Sequence, residues 1–171
     1  MSQLYNRSTF ERELKSEIER SAHAKVAVLF IDVDDFKFIN DRFGHSVGDE
    51  VIKYVAGCIK QRVKGSGFAG RFGGDEFVLC ITDPKQIEEI ESLSLDLIDE
   101  LYEGYHSELA NVSINVKASI GIAFFPEHGD DSDKIVAAAD EAMYFVKKNG
   151  KANYHIYQPE DSQIADLQHT L

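Results

Sequence analysis

Three acids have types and spacing suited to phosphate chemistry. Asp32 closes the apolar run KVAVLFIDV at residues 25–33, and Asp75 and Glu76 lie in a GGDE stretch between FAGRF and FVLCIT. An acid ending a β-branched apolar run is badly placed for mere solubility. If the two flanking runs form a hairpin beside residues 25–33, the three carboxylates converge at one sheet edge. Converging carboxylates repel one another and stay ionised together most readily around a hard cation. Mg2+ takes oxygen ligands and shares its shell with substrate phosphates, so such an edge suits metal-assisted phosphoryl transfer. The plainer alternative is that Asp75 and Glu76 decorate an exposed turn. Gly73 and Gly74 likewise have two readings. They supply positive φ for the turn, or they let a nucleotide approach the backbone closely.

A second constellation lies in DDFKFINDRFGHSVGDE at residues 34–50. Backbone amides around Phe36 and the Lys37 ammonium offer a phosphate cradle. Asn40 and Asp49 offer an amide and a carboxylate for a purine edge. A carboxylate accepting from a ring N–H and an exocyclic amine favours guanine over adenine. Asn40 also fits a helix-end cap, and Asp49 a helix N-terminal charge. His45, beside Gly44, fits loop packing as well as a catalytic role. Lys147 and Lys151 flank the end of a helical segment. There they complement the helix dipole or reach distal phosphates.

The elements that position these groups are legible by periodicity. Ser8 and Glu11 form a capping-box pattern opening a first helix, with Phe10, Leu14 and Ile18 on one face. Residues 25–33 read as a central strand buried on both faces. GDEVIKYVAGCIKQRV reads as a helix with Val51, Val55, Cys58 and Ile59 inward. Paired glycines between two β-like runs predict the hairpin around residues 68–82. Pro84 predicts the start of a helix running to about Tyr105. NVSINV and KASIGIAFF read as strands, DKIVAAADEAMYFVKKN as a helix capped by Gly150, and NYHIYQ as a last strand. This mixture, without strict βαβ alternation, predicts an α+β fold with a largely antiparallel sheet flanked by helices.

Composition narrows the partners. With 18 Lys+Arg against 30 Asp+Glu, the formal net charge is −12. So acidic a chain is a poor match for a nucleic-acid polymer or an anionic membrane, both of which need clustered cations. A mononucleotide remains compatible, because local amides and a cation hold phosphates on an acidic protein. Cys58 and Cys80 lack metal-type spacing and read as buried reduced thiols. With no run of 18 apolar residues in sight, the expectation is a cytoplasmic domain that makes no direct membrane contact. The expected division is one domain over residues 1–158, followed by a linker or helix start over 159–171.

Taken together, these stretches resemble the GGDEF family of diguanylate cyclases. The motif RFGGDEF stands at residues 71–77, with FIDVDDFKFINDRFGHSVGDE, SIGIAFFP, AADEAMYFVKKNGK and the opening LYNR around it in order. The resemblance implies a sheet similar to the polymerase palm and the class III nucleotidyl cyclases. It also implies condensation of two GTP molecules into cyclic di-GMP across a homodimer, with Mg2+ or Mn2+. By that resemblance Asp32, the Val33 carbonyl, Asp75 and Glu76 hold the metal, and Asp75 assists deprotonation of the attacking hydroxyl. Lys37 stabilises phosphate charge, Asn40, His45 and Asp49 meet the guanine nucleotide, and Lys147 and Lys151 contact the distal phosphates. A GTP-binding regulatory module of weak catalytic power is the alternative within the family.

Several departures from the family pattern stand out. Only Met1, Ser2 and Gln3 precede Leu4, so the family's Asp-x-Leu-Thr-Gly turn is missing and a trimmed N-terminal edge is expected. Lys151 stands where arginine is common, and Ala152 where asparagine is usual. Lys64 and Gly67 occupy the positions of the family's Arg-x-x-Asp inhibitory motif. The tail from Pro159 resembles the junction after which many members continue into an EAL-type phosphodiesterase domain.

Overall fold

The computed structural model describes residues 4–163 of the chain. Met1–Gln3 and most of the tail, on which the expectations of a trimmed edge and a following domain rest, lie outside the described residues. The first helix, α1, spans Arg7–Glu19 and buries Phe10, Leu14 and Ile18 as their spacing predicts. Its cap differs from the capping box. The Asn6 side chain accepts from the Thr9 N–H at 2.9 Å, and Ser8 already lies inside the helix. Asparagine caps as well as serine, and the chain enters the helix two residues earlier.

The central strand β1 spans Val26–Val33. Next come α2 (Phe36–Phe43) and α3 (His45–Val63), which turn through Gly44 at φ 90°. Strands β2 (Gly67–Arg71) and β3 (Glu76–Thr82) form the expected hairpin, and α4 runs over Ile87–Glu103. The helix therefore begins three residues after Pro84 and ends at Gly104, where φ is 101°. Tyr105 starts a short strand instead. This strand, β4 (Tyr105–Ser107), pairs among the described residues only with β5 (Val112–Ile114). NVSINV thus forms a separate two-stranded ribbon outside the main sheet. The last elements are β6 (Ala118–Phe125), α5 (Ser132–Lys148) and β7 (Tyr154–Ile156). Gly150, at φ 105°, lies just past the Asn149 cap of α5.

The main sheet runs β2-β3-β1-β6-β7, antiparallel except for the parallel β6–β7 pair. The α+β expectation holds. Alternation along β1 serves two cores. Leu29 and Ile31 join Val51, Ile59, Leu97 and Leu101 beneath α3 and α4. Val28 and Phe30 join Phe10, Leu14, Ile135 and Ala139 beneath α1 and α5. With both faces covered, the strand reads as an unbroken apolar run. Gly121 lets α5 press onto β6, because a Cβ there would meet the Ala139 carbonyl and the Met143 amide. Cys58 and Cys80 are free and buried, and burial pushes both thiols up.

Candidate active site

The antiparallel register sets Asp32 opposite Glu76 of β3 on one side and Ser119 of β6 on the other. The hairpin turn is fixed to the strand end by the Val33 N–H, which donates to the Asp75 carbonyl at 3.1 Å. Arg71 shapes the turn from within. Its guanidinium donates to the carbonyls of Gly73 at 3.0 Å and Gly74 at 2.6 Å. Neither of these glycines is among the residues with positive φ, so turn strain is not the reason for them. Nothing stands within 4 Å of a Cβ built on Gly74, while one on Gly73 would lie 3.1 Å from the Glu76 carboxylate. The surface over Gly74 is open to a close approach.

Asp75 and Glu76 lie close enough for their charges to act on the Asp32 carboxyl. Burial pushes the Asp32 carboxyl up to about 7. Asp75 and Glu76 push the same way, while the Lys147 ammonium opposes them. One oxygen, Asp32 Oδ1, is buried with no hydrogen-bond partner. An orphaned carboxylate oxygen beside a second acid is a donor set for a hard cation. Among the described residues no three His, Cys, Asp or Glu side chains are grouped so that they could hold a metal ion by themselves. Mg2+ is commonly bound by one or two carboxylates, with water and substrate phosphate completing its shell.

The turn after β1 places the second constellation. Asp35 has φ 55°, and α2 starts at Phe36, half-buried, with Lys37 exposed. The Asn40 side chain lies against Gly48 of α3, where a Cβ would collide with its Oδ1 and approach the Phe36 ring. Asn40 therefore faces α3 instead of capping α2, and exposed Asp49 follows Gly48 directly. His45 is the exposed first residue of α3. The α2–α3 corner sets the Asn40 side chain against Gly48, the residue before Asp49. Its key spacer, Gly48, went unread in the sequence, although a glycine inside a helical run is a packing signal.

The two lysines are already engaged. Lys147 Nζ lies 2.6 Å from Asp34 and 3.7 Å from Asp32, and Lys151 Nζ lies 2.7 Å from Asp35. Asp34 was missed because an acid in a DVDD run reads as solvent-facing, yet it is buried. Cavities of about 600 Å3 beside Lys60 and Phe68, and of about 410 Å3 beside Phe125 and His128, contain none of these groups.

The profile of the family "Diguanylate cyclase, GGDEF domain" matches residues 1–153. The chain belongs to the GGDEF family. It is 34% identical over 164 residues to the diguanylate cyclase DosC of Escherichia coli, covering 92% of this chain and 34% of DosC. It is 31% identical over 160 residues to the cyclic di-GMP phosphodiesterase PdeR of the same organism, covering 94% of this chain and 24% of PdeR. The chain thus spans a quarter to a third of the length of these curated relatives. The solved GGDEF domain of TpbB (YfiN) from Pseudomonas aeruginosa superposes with a TM-score of 0.91 at 30% identity, covering 96% of both chains. This GGDEF domain therefore has the family's palm-like fold and belongs to cyclic di-GMP signalling. No helix among the described residues is long and apolar enough to cross a membrane.

Proposed function

We propose that this GGDEF domain is a diguanylate cyclase that condenses two GTP molecules into cyclic di-GMP and two pyrophosphates. The observation that carries the reading is the Asp32–Asp75 pair with its orphaned oxygen, set beside Lys147 at the strand end. Asn40 and Asp49 read the guanine, with His45 at the nucleotide. Phe36, Gly73 and Gly74 give the triphosphate close access to backbone. Lys37, Lys147 and Lys151 balance its charge.

Asp32, the Val33 carbonyl, Asp75 and Glu76 are the groups that would hold Mg2+ or Mn2+. When bound, the ion neutralises charge on the phosphates. The Asp75 carboxylate takes the proton from a ribose 3′-hydroxyl. That oxygen bonds to the α-phosphorus of the second GTP, and the bond to the β-phosphate breaks, releasing pyrophosphate. The same step, repeated with roles exchanged, closes the ring. One copy cannot orient two substrates against each other, so a two-fold pair of domains supplies the proximity. Nothing in this chemistry needs a nucleic-acid polymer or a membrane, and a cytoplasmic location supplies GTP.

A second reading is a GTP-binding module that regulates a neighbouring domain. The match to part of a phosphodiesterase, PdeR, favours it. Incubation with GTP and Mg2+, followed by chromatography for cyclic di-GMP and pyrophosphate, separates the two. We expect both products from the wild type and none from Asp75→Asn. Tight GTP binding with no product from the wild type would reject the cyclase and favour the module.

A further inference from the structure

Asp34 is a charge in an unusual place. It lies two residues beyond Asp32 with only 3% of its surface exposed. A buried carboxylate is unfavourable unless donors surround it. Here three do. Ser119 Oγ and Lys147 Nζ donate to Oδ1 at 2.7 and 2.6 Å, and the Ala152 N–H donates to Oδ2 at 3.0 Å. These donors come from β6, from the last turn of α5 and from the turn beyond it. The register of β1 is fixed independently, by its ladders to β3 and β6.

The turn beyond α5 is strained. Lys151 and Ala152 are consecutive non-glycine residues in the left-handed region, at φ 62° and 49°. Side chains disfavour that conformation, and it persists where surrounding contacts over-determine it. The Asp34 bond to the Ala152 N–H is such a contact. It holds the backbone from which Lys151 reaches Asp35. One carboxylate thus anchors Lys147 directly and Lys151 through its turn.

We infer that Asp34 is a positioning residue that presents Lys147 and Lys151 together to the distal phosphates of the bound nucleotide. The inference rests on the reading of this edge as a GTP site. A free lysine loses substantial rotamer freedom when it grips a ligand, and anchoring it beforehand removes that loss. An ammonium has three donor hydrogens, so a bond to Asp34 leaves others for phosphate. Asp34 holds Lys147 at 2.6 Å, closer than the 3.7 Å that separates the ammonium from Asp32.

Calorimetry in Mg2+ buffer, with a non-hydrolysable GTP analogue and with GMP, tests this without turnover. Asp34→Asn keeps the size and an acceptor for the Ala152 N–H but removes the charge. We expect its dissociation constant for the analogue to rise about tenfold, with that for GMP changing by less than about twofold, because GMP has no distal phosphates. Ser119→Ala withdraws one donor from Asp34 and leaves both lysines in place. It should shift the analogue by about threefold in the same direction, and it stands in if Asp34→Asn does not fold. Equal weakening of both ligands, or of neither, would overturn the inference while leaving the GTP site intact. A wild type that binds neither nucleotide would instead remove the reading of the site, and this inference with it.

Discussion

Replacing Asp32 by asparagine should make the metal-free domain more stable at neutral pH, and the gain should depend on pH. Burial, with Asp75 and Glu76 beside it, raises the Asp32 carboxyl from 3.8 to about 7 in the folded chain. A raised acid favours folding in its protonated form. Its contribution is fully present below pH 4 and is lost as pH rises towards 7. The gap of about 3 pH units, at about 1.4 kcal/mol each, sets a ceiling of roughly 4 kcal/mol. Its side chain is 18% exposed, so water screens part of this, and a change of roughly 2–4 kcal/mol is expected. Asparagine has nearly the same shape and does not titrate, so the stability difference between variant and wild type should grow from pH 4 to 7 and then level off. Urea unfolding in chelator at several pH values measures it. The chain has 7 tyrosines and no tryptophan, so tyrosine fluorescence and circular dichroism are the probes. Added Mg2+ should stabilise the wild type and much less the variant. A difference that stays constant across pH 4–8 would refute the buried, charge-crowded Asp32 on which the site depends.

Other outcomes follow from the same geometry. Asp49→Ala should narrow the preference for GTP over ATP by about 1–3 kcal/mol while leaving triphosphate binding largely intact; competition binding with both nucleotides checks it. Gly121→Ala should destabilise the fold by at least about 1–3 kcal/mol, because the new Cβ meets the Ala139 carbonyl and the Met143 amide; a melting temperature within 1–2 degrees of wild type would contradict that packing. Cyclic di-GMP should inhibit turnover weakly and only by competition at the active site, because Lys64 lacks the planar fork and Gly67 lacks a carboxylate. Steady-state rates at saturating GTP decide this. Gly67→Asp alone should not restore inhibition, because a Cβ there meets the Cys80 carbonyl.

What the sequence determined by itself was local or patterned. The run from Val26 to Val33 announced a strand buried on both faces, because apolar β-branched residues without alternation have little other use. The spacing of Phe10, Leu14 and Ile18 determined the inward face of α1, and the paired glycines determined the β2–β3 hairpin. The acids Asp32, Asp75 and Glu76 were legible because charge at the end of an apolar strand needs a reason. Only the tertiary structure decided which strands neighbour each other, and so that Glu76 and Ser119 flank Asp32. Long-range register leaves no trace in a local window. The same holds for β4, whose three residues carry too little pattern to separate from the end of α4. It holds most of all for Asp34. It sits with Asp35 in the turn just past the strand end at Val33, while its partners Ser119, Lys147 and Ala152 lie far along the sequence. Whether an acid is solvated or is the buried anchor of two lysines depends on what the fold brings over it, and packing alone sets that.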